Sequence, residues 1–118
     1  MPHNYIYVIV RTDLPIEQQL VQAAHSALEA GREFSNPTTD SHLILLEAKS
    51  QDTLLNISQH IAEHNIKHHL FFEPDDDRGY TSLTTESIHS PELRAVFKKY
   101  RMYQFKANRA FSINDETF

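Results

Sequence analysis

In the stretch RTDLPIEQQLVQAAHSALEAG, residues 11–31, Gln18, Gln22, His25 and Glu29 follow one another at steps of four, three and four. At 3.6 residues per turn, that spacing lines them along one helix face. His25 has chemistry of its own, because an imidazole exchanges a proton near neutral pH. Polar residues at helical spacing also describe any solvated helix face, and a single histidine does not outweigh that reading. Histidines recur at His60, His64, His68 and His69. The first two are one helical turn apart and could share a zinc ion. His68 and His69 are neighbours on an expected strand and point to opposite faces, so without a bulge they cannot both join one site. No metal is expected. The segment EPDDDR places Asp75, Asp76 and Asp77 in succession, with Thr81 shortly beyond, and KKYR gathers Lys98, Lys99 and Arg101 near the end. Solvation accounts for such charged runs by default.

The elements that must position these residues alternate in type. Tyr5 to Arg11 is aromatic and β-branched without a polar interruption, as expected of a central strand covered on both faces. After Asp13 and Pro15, the residues Ile16, Leu20, Ala24, Ala27 and Leu28 recur at helical spacing, and Gly31 stands where a helix would stop. They predict a helix that packs Leu20, Ala24 and Ala27 on the sheet and turns Gln22 and His25 away. FSNPTTDS is a connector, followed by a strand over His42 to Ala48. Ser50 then caps a helix with Leu54, Ile57 and Ile61 inward, ending near Asn65, and a third strand covers Ile66 to Glu73. Gly79 to Glu86 reads as a fourth, shorter strand. Ser90 and Pro91 start a last helix with Leu93, Val96, Phe97 and Tyr100 inward. The expectation is a single α/β domain over residues 1–106, three-layer α/β/α with a mixed sheet of about four strands, and a flexible tail over 107–118.

At 118 residues the chain has room for one core. It has no cysteine, which excludes disulfides and thiolate metal sites and suggests a reducing, cytoplasmic setting. The start MPHNYIYVIVRTDL has neither the basic leader of a signal peptide nor the length of a membrane span, so no membrane association is expected. A formal charge of −5 argues against nonspecific coating of nucleic acid, yet the cations cluster toward the end of the chain.

RTDL at residues 11–14, followed by VQAAHSA at 21–27, resembles the peptidyl-tRNA hydrolase II family, whose pattern is roughly RxDL followed by GKxAAQxxHA. The likeness extends through LILLEAKSQDTLLNISQHIAEHNIKHHLFFE and VFKKYRMY, covering about Tyr5 to Phe105, and is closest to the short domain-containing branch of that family. It implies a peptidyl-tRNA hydrolase II-like fold and hydrolysis of the ester between an acyl group and tRNA, without a cofactor. By the same resemblance Gln22, His25, Asp75 and Thr81 would be catalytic. An aspartate or His25 would serve as base and Gln22 as a donor to the oxyanion. Arg11, Asp13, Gln18, Lys98, Lys99 and Arg101 would hold the substrate, the cations contacting phosphates.

Two departures bear on activity. The family lysine one turn before the helix glutamine is Gln18 here, a neutral donor in place of a cation. The family segment DAGRTQIAPG is replaced by EPDDDRGYTSL, in which any of the three aspartates could be the acid. Two functions therefore stand: an acyl-tRNA hydrolase with a degenerate site, or a non-catalytic module of the same fold that binds tRNA or a protein. The sequence is also compatible with a homodimer.

Overall fold

Uninterrupted apolar character makes β1 (Asn4–Arg11) the middle of the sheet. In this computed structural model, which describes residues 4–34 and 41–104, the strand order is β3-β4-β1-β2-β5. β2 (Ser41–Ala48) runs parallel to β1 with Val8 opposite Leu45, and α1 (Ile16–Glu33) forms the crossover between them. β4 (Gly79–Thr85) pairs antiparallel with β1 and with the edge strand β3 (His68–Glu73). A two-residue strand, β5 (Arg101–Met102), pairs antiparallel with the outer side of β2, so the mixed sheet has five strands rather than four. That segment is too short to carry a period of its own.

One face of the sheet is mostly apolar. Tyr7, Ile9, Leu46 and Leu83 pack against Leu54, Ile57 and Ile61 of α2 (Gln51–Glu63) and against Phe97, just beyond α3 (Pro91–Ala95). Both helices start as their sequences predict: the Ser50 hydroxyl accepts from Thr53 N–H and the Ser90 hydroxyl from Leu93 N–H, each at 3.1 Å, with Pro91 in the first turn. Leu93, Val96, Phe97 and Tyr100 all join this core.

The other face differs from expectation. α1 buries Gln19, Gln22, Ser26 and Ala30, while Leu20 and Leu28 are 64% and 68% exposed and Val21 is exposed as well. The predicted stripe is on the outside. The reason lies in β4, where Thr81 and Ser82 are fully buried and offer hydroxyls that Gln22 and Ser26 of a polar helix face satisfy and a leucine face would orphan. α1 also runs two residues past Gly31. The expected tail and most of the connector FSNPTTDS lie outside the described residues.

Candidate active site

At the rim where β1 and β3 end and β4 begins, the sheet carries a bulge. Phe71 pairs with Ser82 and Phe72 with Tyr80, leaving Thr81 as the extra residue. Consecutive strand residues normally point to opposite faces, but here both reach α1. The Thr81 hydroxyl donates to Gln22 Oε1 at 2.7 Å, and the Ser82 hydroxyl donates to the Gln22 carbonyl at 3.2 Å. The other end of the Gln22 amide donates to Glu73 Oε1 at 3.5 Å. A linked set results: a buried hydroxyl holds a buried amide, and the amide faces a carboxylate at the end of β3 that is partly open to solvent. The second oxygen of Glu73 accepts from Asp75 N–H at 3.2 Å, which fixes the carboxylate's plane.

Arg11 frames the opposite side of this rim. Its guanidinium grips Asp13 through two hydrogen bonds of 2.9 Å, and its remaining nitrogen donates to the Tyr80 carbonyl at 3.0 Å and to that of Arg78. The pair thus ties the end of β1 to the turn before β4, and Asp13 stays 40% exposed. The same turn is held from the α2 side, where Gln51 Oε1 accepts from Tyr80 N–H at 2.7 Å. Gly79 has φ +75°, and a Cβ there would lie 2.2 Å from that Gln51 oxygen, so the turn requires glycine.

The aspartates occupy a 3-10 turn, Asp75–Asp77, with φ of 56° at Asp76 and 53° at Asp77, a left-handed conformation that aspartate tolerates better than most residues. All three side chains are exposed. Asp76 pairs with Arg78 at 3.5 Å, and no hydrogen bond among the described residues links Asp75 to Gln22 or Thr81. Gln18, one turn before Gln22, is partly exposed at the start of α1. His25 is exposed and packs edge-on against Phe71, with ring centroids 5.0 Å apart, outside the linked set.

The cations stand elsewhere on the rim. Thr12 N–H donates to the Ala48 carbonyl at 2.9 Å, which sets the end of β2 beside the end of β1. From there Lys49, Asn56, Lys99, Tyr100 and Arg101 line an open groove of about 390 Å³. Arg101 leans on Glu47 at 3.6 Å, Lys99 lies 5.8 Å from the centre of the Tyr100 ring, and Lys98 is exposed on the adjoining surface. Beneath them His60 Nδ1 bonds the Tyr100 hydroxyl. Burial pushes the Tyr100 hydroxyl up to about 12. Lost hydration first, then Lys99 and His64, lower the His60 pKa, with Glu63 opposing.

Sequence reasoning missed Glu73, Ser82 and Gln19. Gln19 Nε2 donates to the carbonyls of Leu14 and Thr12, at 2.7 and 3.2 Å, and its oxygen accepts from Tyr103 at 2.7 Å, so it staples the β1–α1 loop to the residue just past β5. Glu73 could have been found from its place at the end of an apolar strand, the position where α/β folds present reactive groups.

Residues 5–103 match the family model for peptidyl-tRNA hydrolase PTH2. No curated protein matches the sequence. Among solved structures, that of a protein of unknown function, Atu0240 from Agrobacterium tumefaciens strain C58, is similar with a TM-score of 0.62. Its identity is 17%, over 88% of this chain and 100% of that one, a likeness of fold. No helix among the described residues is long and apolar enough to cross a membrane.

Proposed function

The chain belongs to the peptidyl-tRNA hydrolase PTH2 family, and from that premise we propose that it hydrolyses the ester joining an acyl group to the terminal ribose of tRNA, with Glu73 as the base. The observation that carries this reading is the set Thr81–Gln22–Glu73, a carboxylate held by a buried amide that is itself held by a buried hydroxyl. Glu73 takes a proton from water, whose oxygen attacks the acyl carbon. The tetrahedral intermediate then collapses, and the departing ribose oxygen recovers the proton from Glu73. Gln22 and Thr81, both buried, position the base rather than touch substrate. Gln18 and Asp13 line the approach, and the Gln18 amide is a neutral donor for the oxyanion where the family pattern has a cation. Lys98, Lys99 and Arg101 hold phosphates of the acceptor arm, an interaction that weakens as salt rises.

Binding of tRNA without cleavage is the second reading, and one observation favours it. The guanidinium of Arg11, at the same rim, is already engaged by Asp13 and two carbonyls. Deacylation of peptidyl-tRNA and aminoacyl-tRNA by the purified protein, measured side by side in single-turnover conditions, separates the two. Cleavage at saturating enzyme supports the hydrolase. Retention of the ester on fully bound tRNA supports the binding module.

A further inference from the structure

Toward its C-terminal end, away from the rim, α1 approaches β3 with a second group of chemically competent side chains. Glu29 and Glu33, one turn apart on α1, and His69 on β3 offer one ligand atom each, and these atoms all lie within 4.8 Å of one another. Among the described residues, no other group of three carboxylate or imidazole side chains converges in this way. His69 Nδ1 is 3.5 Å from Glu33 Oε1. Bonds of about 2.0–2.1 Å to a tetrahedral ion set its ligand atoms about 3.4 Å apart. That pair therefore already stands at the spacing of two ligands on one ion.

We propose that Glu29, Glu33 and His69 form a site for a zinc-class divalent cation that fastens the C-terminal half of α1 to the edge strand β3. A separate observation points to a ligand here. Thr84 lies directly opposite His69 in the β3–β4 register, is fully buried, and its Oγ has no hydrogen-bond partner among the described residues. Cross-strand partners share a face with Cβ atoms about 5 Å apart. An orphaned oxygen thus sits beside the ligand set, where water on a bound ion would give it a partner.

The ligand types narrow the ion. One imidazole with two carboxylates suits zinc and its transition-metal neighbours, whereas magnesium and calcium prefer oxygen ligands alone. Two carboxylates and a neutral imidazole also balance the charge of a divalent cation. Arg32 competes for Glu29, donating to both carboxylate oxygens at 3.1 and 3.0 Å. The arginine side chain is 76% exposed against 18% for Glu29, so the cation's end of the pair is solvent-screened and free to swing away from an ion.

The test is calorimetric titration of the full chain with zinc chloride at pH 7.5, together with melting curves at rising zinc. The expected result is one ion per chain at micromolar concentrations or below, with a melting temperature that climbs with zinc. Glu33→Gln and His69→Ala, each first shown to melt normally without zinc, should weaken binding at least tenfold. His64→Ala, which removes the other zinc-capable pair with His60, should leave binding unchanged. Failure to bind at micromolar zinc would overturn the proposal. So would binding that survives His69→Ala, binding that is lost in His64→Ala, or magnesium chloride binding as well as zinc.

Discussion

The two faces of the sheet are built on opposite principles. Against α2 and α3 the contacts are leucine, isoleucine and aromatic, a layer whose stability comes from area removed from water. Against α1, Gln22 and Ser26 meet Thr81 and Ser82, and cohesion there depends on the hydrogen bonds among them. Apolar packing tolerates volume-conserving exchange, while a buried polar network does not tolerate a missing partner. The difference teaches where function can sit. The polar layer continues outward to Glu73, a carboxylate partly open to solvent, and the apolar layer supplies the rigid floor beneath it.

The largest expected effect breaks that floor. Ile61→Ala removes a fully buried side chain from α2 and should lower the free energy of unfolding by about 2–5 kcal/mol in urea titration, since the fixed sheet cannot collapse into the cavity. Gln22→Ala tests the polar layer. Burial of Gln22 means this change strips partners from Thr81 and Glu73, and the loss should be about 1–3 kcal/mol in the same titration, smaller than that of Ile61→Ala. Leu28→Lys sharpens the inversion of α1. On an outward leucine it should shift stability by less than about 0.5 kcal/mol, whereas an inward one would make the same change ruinous.

The smallest effect concerns acidity under the cationic groove. The His60 pKa is lowered in the folded protein, so the fold favours the neutral ring. The stability this contributes is fully present above the ordinary value of 6.5 and is lost as pH falls below it through the folded pKa. The melting temperature should decline below pH 6.5, and His60→Gln should reduce that slope.

Much of the fold was legible because local signals agreed with their surroundings. β1 is apolar on both sides and central, and Ser50 and Ser90 cap helices whose inward leucines and isoleucines are inward in fact. α1 was not legible, because its orientation was decided by residues far along the chain. Leu20 and Leu28 form a respectable stripe in isolation, and only Thr81 and Ser82 on β4 reveal why Gln22 and Ser26 turn inward. The site followed the same rule. Gln22 and Thr81, named from sequence, are hydrogen-bonded to each other across 59 residues of chain. The bulge at Phe71/Phe72 that allows this leaves no local mark in the sequence, and neither does the approach of the Gln22 amide to Glu73 rather than to one of the three aspartates.

If the polar layer holds Glu73 against an acyl-tRNA ester, single-turnover deacylation of peptidyl-tRNA at saturating enzyme, wild type against Glu73→Gln, reads that role directly. Loss of a general base predicts a rate constant lower by about 10²–10⁴-fold, with tRNA affinity and melting temperature little changed. Equal cleavage by the two proteins would contradict the account and return the role of base to another residue of the rim.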